Sequence, residues 1–590
     1  MELEDLKSVE DNQRLIFRTK KSREIYLKIL NRIKKYFVID ETTALLDFLK
    51  PTIEKKKVLE RQEWISRSIK ELQDRETIEN IEELLKKASK IDIDSKKRHN
   101  NIVIAFGDEN SYNKYKKILG EQFFTVLISN EQDIFSISHY EEIRYVKSEQ
   151  DDLLHLIEEL EQSNIYSSNF DLEELAPEIY TDYLELNKEP LKAIKKLRKM
   201  LQIKVQLPES EESEEYFDLL EVESEKIRKE LESIIQKNII KEQFSGLEII
   251  EVIREESSIL KKLSKDSQEE IIKTKNYLLK RLEEHYGVGM NDLLNISPTG
   301  KVIVNEEGLS KAINSFRANK QLRKTKQKQE LASQAKILKE KHFYLKDKIL
   351  ELDLKIALKK FYDELDLENP LIESEGLEFV FGRNISLSNP VPIEYYLGKE
   401  EKVAVVTGAN SGGKTTLLEL VLQIQIMTQM GLGVPAKKSR VSLVKEIYYF
   451  SKNKGSLNAG AFETLLKQFS SISDDDNKKL ILADEIESVT EPDIATKIIK
   501  GIIEYSQKNP NNILMIVTHM GKELKKLGVK ARFDGIEAKG LDEKLNLIVE
   551  RNPIIGRIAR STPQLIIERL AKKEQTAFYN YLHDMVKIET

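Results

Sequence analysis

Residues 402–417 read Lys-Val-Ala-Val-Val-Thr-Gly-Ala-Asn-Ser-Gly-Gly-Lys-Thr-Thr-Leu, and no other stretch restricts the fold as strongly. A short apolar run passes into GxxxxGK[ST] and then into residues of helical character, which is the strand–loop–helix setting this motif requires. The glycines let the backbone wrap closely, so Gly408, Ala409, Asn410, Ser411, Gly412 and Gly413 are expected to turn their N–H groups towards phosphate oxygens. The helix N-terminus adds its positive end. Lys414 then neutralises the β- and γ-phosphates, the Thr415 hydroxyl ligates Mg²⁺, and Thr416 opens the helix. The expected cofactors are ATP and Mg²⁺, and the expected setting is an α/β domain.

A second piece lies about 70 residues further on. Lys479-Leu-Ile-Leu-Ala-Asp484-Glu485 is a buried-type strand ending in two carboxylates, and adjacent acids at a strand end have separate tasks. Asp484 is expected to hold Mg²⁺ through water opposite Thr415, and Glu485 to orient and deprotonate the water that attacks the γ-phosphate. Ile513-Leu-Met-Ile-Val517 leads in the same way to Thr518-His519, and the His519 imidazole is expected to sense the γ-phosphate or the water.

Composition bounds the rest. At 590 residues the chain is long enough for about three or four domains. The absence of cysteine excludes a disulfide framework, thiolate metal sites and cysteine nucleophiles. The acidic N-terminus lacks the order of a signal peptide, and the longest apolar runs are strand-sized, so no membrane contact and a cytoplasmic location are expected. With 95 basic and 101 acidic residues, any nucleic-acid surface must be local. Glycine and proline are scarce, 23 and 13 in number, and long amphipathic helices follow.

Along the chain, residues 1–97 read as a helical core segment, with Leu45, Leu49, Ile53 and Leu59 at helical spacing and Pro51 between two stretches. Residues 98–148 read as a small α/β unit built on the Ile102–Phe106 run. Residues 149–367 return to charged helical periodicity, as in Ile227, Leu231, Ile234 and Ile235, with breaks at Pro190 and at the acidic run 209–215. They are expected to form long arms. A strand is expected at Lys301–Val304 and a helix over 310–366. From 368 to 590, apolar runs alternate with helical stretches, the signature of an α/β nucleotide-binding domain with a helical tail.

Taken together, the motifs resemble those of the MutS ATPases. Thr407–Thr415 is similar to the TGPNMGGKS loop of that family, Gly431-Leu-Gly-Val-Pro-Ala436 matches its G-x-x-VPA, and Asp484-Glu485-Ile and Thr518-His519 fall where its Walker B and histidine motifs lie. Phe381-Gly-Arg-Asn384 resembles the F-x-x-N segment, which makes Phe381 the implied platform for adenine; a core phenylalanine is the competing reading. The resemblance implies an ABC-type ATPase domain and a homodimer with composite sites. The family signature is altered here to Asn458-Ala-Gly460-Ala-Phe462-Glu463, with glycine in place of the serine that reaches the partner's γ-phosphate. Glu487-Ser-Val-Thr490-Glu-Pro replaces the usual G-x-G-T. This combination, with 532–541 and Ala559–Pro563, resembles archaeal MutS-like proteins of the second paralogue branch, described as ATP-hydrolysing and DNA-binding without clear sequence specificity. Leu49-Lys-Pro51 with Arg61-Gln62 extends the similarity N-terminally. No G-x-F-Y-E wedge and no H-G-x-G stretch of a Smr nuclease are present, so mismatch reading of the usual kind is not expected.

Between Lys320 and Lys348, ten basic residues oppose three acids. Lys320, Arg323, Lys324, Lys326 and Lys328 are the candidates for phosphate contacts to duplex or branched DNA, which are independent of sequence and sensitive to salt. A solvated helical face is the plain alternative. Two functions therefore stand: an ATP-hydrolysing DNA-binding protein with a dimeric clamp, or a nucleotide-switched structural or ribosome-associated factor in which DNA binding is incidental.

Overall fold

The computed structural model describes residues 13–72, 75–94, 97–147, 163–166, 171–203, 219–243, 245–254, 259–408, 413–451, 459–472, 475–489, 491–541, 547–559, 562–574 and 576–587. The chain forms two compact units, one comprising 1–90, 192–203 and 344–590, the other 91–191 and 204–343.

The first unit is built on a six-stranded sheet in the order Ile16–Phe17, Glu446–Ser451, Lys479–Asp484, Ile513–Val517, Val403–Gly408, Arg532–Ile536. Every neighbouring pair is parallel. Parallel strands are covered on both faces, which is why these segments read as unbroken apolar runs; Ile513–Val517 is buried at every position. One face packs on the helix Lys414–Met430, whose residues from Leu420 onwards are all buried, and on Ile25, Ile29 and Ile33 of the helix Lys20–Lys34. The other face packs on Ile499 and Ile503 of the helix Pro492–Ser506. Beside this sheet lies a four-stranded one, ordered Ile393–Leu397, Leu377–Gly382, Lys438–Ser442, Leu371–Glu373.

The N-terminal segment is less regular than its periodicity suggests. Asp40–Leu49 is a 3₁₀ helix, and the α-helix Lys55–Glu71 begins beyond Pro51. Leu49 is buried, whereas Leu59 is 44% exposed. Helical spacing had grouped two elements of different pitch.

The second unit contains a four-stranded parallel sheet ordered Phe123–Leu127, His99–Phe106, Glu142–Val146, Ser163–Tyr166. It thus reaches beyond the expected boundary at 148. Helix Glu178–Leu186 closes one face together with Ala332 and Ala335 of the helix Glu306–Glu340. The same unit holds the long helices Leu219–Lys241 and Lys265–Tyr286, joined through Ile227, Leu231, Ile235, Leu278 and Leu282 to the hairpin Leu294–Ile296 and Val302–Val304. Pro190 does not break a helix; it sits in the first turn of Lys188–Leu201, where its missing N–H costs nothing. The helix expected over 310–366 is two helices, Glu306–Glu340 and His342–Leu365. The acidic run 209–215 lies outside the described residues.

Candidate functional site

The site forms at the carboxyl ends of three neighbouring strands. Val403–Gly408 pairs with Ile513–Val517, which pairs in turn with Lys479–Asp484. Two further backbone bonds tie the strand ends: Thr518 N–H donates to Val406 O at 3.1 Å and Glu485 N–H to Val517 O at 3.0 Å. Residues remote in sequence thereby converge at the carboxyl end of the sheet.

Two glycines permit the close approach. A Cβ on Gly408, at φ +136°, would lie 2.2 Å from Ile536 O, and one on Gly521 would lie 2.3 Å from Thr407 Cγ2. The turn carrying His519 therefore packs directly against the strand that feeds the loop. Thr407 Oγ1 also accepts from Ala559 N–H at 2.9 Å.

Lys414 starts its helix and is 2% exposed. Its ammonium donates to Gly408 O at 2.7 Å and lies 3.6 Å from Glu485 Oε1. Burial lowers its pKa from the ordinary lysine value, and the nearby Glu485 works against that. The same Glu485 oxygen is 3.1 Å from His519 Nε2. Glu485 takes φ +47°, a left-handed conformation that costs a non-glycine residue about 1–3 kcal/mol and is held by its surroundings. Here the Val517 bond, Lys414 and His519 hold it.

Asp484 is 8% exposed. Burial raises its carboxyl above the ordinary range, and a hydrogen bond with the Thr415 side chain opposes the shift. Its Oδ1 is buried and has no partner among the described residues. A hydroxyl bonded to a carboxylate with an unsatisfied oxygen is the donor set of a Mg²⁺ ion that also binds substrate phosphates. The residues fit such an ion.

Phe381 is 48% exposed, so it is not a core residue. It also takes a left-handed φ of +56°, and Lys437 Nζ lies 5.8 Å from its ring centroid. The segment after it is fastened to the loop helix. Asn384 Nδ2 donates to Thr416 O at 3.0 Å, while buried Gln423 donates to Asn384 Oδ1 at 2.9 Å and accepts from Ile385 N–H at 3.1 Å. Gln423 was not singled out from sequence, since a glutamine inside an apolar helix gives no sign of its partner.

In the sequence, Glu487 stands out only as a departure from the family pattern. It is buried, and its Oε1 accepts the His519 backbone N–H at 2.7 Å. A carboxylate at a family glycine position was the available signal.

The remaining predicted residues are distributed as follows. Ala409, Asn410, Ser411, Gly412, Asn458 and Thr490 lie outside the described residues. Gly460, Phe462 and Glu463 fall on the helix Ala459–Ser470, where Glu463 pairs with Lys467 at 2.6 Å. Lys320, Arg323, Lys324, Lys326 and Lys328 all lie on the helix Glu306–Glu340 in the second unit. Lys326 is exposed. Lys328 departs from the expectation of a free phosphate-gripping side chain: its ammonium is paired with Glu178, whose carboxylate also binds Arg144. Among the described residues, no helix is long and apolar enough to cross a membrane.

These features define a mixed α/β protein whose parallel sheet gathers a buried lysine, paired carboxylates and a histidine at its strand ends. The family profile MutS domain V matches residues 404–547, the stretch that holds them. The chain is 31% identical over 578 residues to the DNA-binding protein MutS2 of Pyrococcus furiosus, covering 94% of this chain and 96% of that protein. It is 29% identical over 254 residues to the endonuclease MutS2 of Clostridium kluyveri, covering 41% of this chain but 32% of that protein. With the endonuclease MutS2 of Caldanaerobacter subterraneus it shares 23% identity over 487 residues, covering 76% of this chain and 61% of that protein. The chain belongs to the MutS2 branch of the MutS family.

Proposed function

We propose that this chain is an ATP-hydrolysing, DNA-binding protein that grips DNA without sequence specificity and uses ATP to control a dimeric clamp. The observation that carries the proposal is the convergence of Lys414 and His519 on one carboxylate oxygen of Glu485, beside a buried Asp484 with an unsatisfied acceptor. The name of the Pyrococcus relative, which covers nearly the whole chain, supports DNA as the partner.

In this reading Gly408–Gly413 and Lys414 bind the phosphates, and Phe381 stacks on the base. Thr415 and Asp484 would hold Mg²⁺, which would supply positive charge to the phosphate oxygens. Lys414 now rests against Glu485; an arriving γ-phosphate is the stronger partner and draws the lysine away. The freed Glu485 carboxylate then takes a proton from the attacking water at Oε1, and His519 Nε2 holds that oxygen in place. The strained backbone at Glu485 fixes the carboxylate before substrate arrives, so little reorganisation remains for the reaction step. The homodimer would place residues 458–463 against the partner's nucleotide.

Phosphate release measured beside nucleotide binding tests the site. Glu485→Gln is expected to bind ATP normally and lose about 10²–10⁴ in turnover, whereas Lys414→Ala is expected to lose binding. Turnover at the unmodified rate in the Glu485 variant would remove it as the base. Competition between duplex DNA and ribosomes tests the partner, with preferential retention on ribosomes overturning the DNA reading. Light scattering tests the clamp, which a strict monomer in every nucleotide state would rule out.

A further inference from the structure

The strand Glu446–Ser451 lies beside Lys479–Asp484 in parallel register, with Tyr449 opposite Leu482 and Ser451 opposite Asp484. Opposed residues of parallel strands share a face, and so do residues two apart. Tyr449 and Asp484 therefore point to the same side, that of the helix Lys414–Met430. Tyr449 packs in the core with Leu417, Leu418 and Leu482, whereas its neighbours Tyr448 and Phe450 belong to the core on the opposite face. On the helix, Glu419 follows Thr415 by four residues, one turn along the same side.

The electrostatics agree with this placement. Asp484 and Glu419 both act on the Tyr449 phenol, and Glu419 acts on Asp484. Tyr449 is 2% exposed, and its hydroxyl, like Asp484 Oδ1, has no partner among the described residues. Glu419 is 19% exposed and has Lys21 at 3.6 Å. Buried polar groups are ordinarily satisfied, and leaving one unmade is unfavourable. Two such atoms on one face, beside the Glu419 carboxylate, can still accept both positive charge and hydrogen-bond donors. A hydrated divalent cation supplies both, and Mg²⁺ in particular retains several of its waters when bound.

We propose that Tyr449 and Glu419 would accept hydrogen bonds from water retained by the Mg²⁺ ion that Thr415 and Asp484 would hold. Tyr449 is a positioning residue, and the inference rests on the reading of Thr415 and Asp484 as the Mg²⁺ site. Outer-shell partners of metals are typically worth about 10–100-fold in affinity.

The test uses the full chain and requires no turnover. Binding of a fluorescent ATP analogue is titrated with Mg²⁺ for the unmodified protein and for Tyr449→Phe, Glu419→Gln and Asp484→Asn, with thermal melting recorded without metal. Tyr449→Phe is expected to keep its metal-free analogue affinity and to need about 10-fold more Mg²⁺ for half-saturation. Its metal-free melting temperature is expected to be equal to or above that of the unmodified protein, because the lost hydroxyl had no partner. Glu419→Gln is expected to shift Mg²⁺ dependence in the same direction. An unchanged Mg²⁺ titration in Tyr449→Phe beside a shifted one in Asp484→Asn would overturn this proposal and leave the Mg²⁺ site intact. An unshifted Asp484→Asn would overturn the Mg²⁺ site itself. A lower metal-free melting temperature with unchanged Mg²⁺ dependence in Tyr449→Phe would make the tyrosine purely structural.

Discussion

Replacing Glu178 by leucine is expected to destabilise the protein by about 3 kcal/mol, and adding Arg144→Met should restore most of the loss. Both side chains are almost fully buried in the second unit, at 2% and 3% exposure. The Arg144 guanidinium donates to the two Glu178 oxygens at 2.6 and 2.8 Å, to Leu175 O at 2.8 Å, and through Nε to Glu142 at 2.7 Å. Removing one partner of a buried pair costs about 3–5 kcal/mol because the survivor is left uncompensated. Glu142 remains as a partial partner for Arg144, which places this case at the lower end. A second route gives a similar size. Burial by itself would push the Glu178 carboxyl upward, but Arg144, followed by Lys328, holds it down to about 2. Against an ordinary glutamate value near 4.3, that depression is worth roughly 3 kcal/mol. Because the folded value is the lower one, this stability is fully present above about pH 4.3 and is lost as pH falls towards 2. Urea unfolding followed by far-UV circular dichroism, at pH 7 and at pH 3.5, measures both effects. The single variant should unfold at markedly lower urea at pH 7, the double variant should recover to within about 1–2 kcal/mol of the original, and the double variant should lose less on acidification. A double variant as unstable as the single one would refute the reasoning, since the penalty would then lie in lost packing.

Phe381→Ala is expected to weaken ATP binding about 10-fold, some 1.4 kcal/mol, at unchanged Mg²⁺ dependence, as read by equilibrium titration; unchanged affinity would remove Phe381 as the base platform. Glu487→Gly leaves the His519 N–H without its acceptor, and turnover should fall with little change in ATP affinity, which steady-state kinetics resolves into kcat and KM. Matched and mismatched duplexes should bind with nearly equal affinity, and Lys326→Gln should lower the slope of log K against log salt by about 0.9. A tenfold preference for the mismatch would require a recognition element in the second unit.

Short-range patterns in this chain report short-range structure well. The run into Gly408, the apolar strand before Asp484 and the strand before His519 were readable because each couples burial on both sheet faces to a polar terminus, a pattern contained in about seven residues. Which strands neighbour each other is a different kind of information. Only the sheet order brings Ile513–Val517 between the other two strands, so that Glu485 and His519, 34 residues apart, share a hydrogen bond. Lys328 shows the same limit from the other side: its charge was legible, but its commitment to Glu178, 150 residues away, was not. Tyr449, Glu419 and Gln423 carry no local signature at all, because their roles depend on which face of a sheet meets which turn of a helix. Residue type and periodicity specify what a segment needs to bury or satisfy; only packing of the folded chain selects the partner that satisfies it, since many remote groups meet the same local requirement and register and close packing admit one.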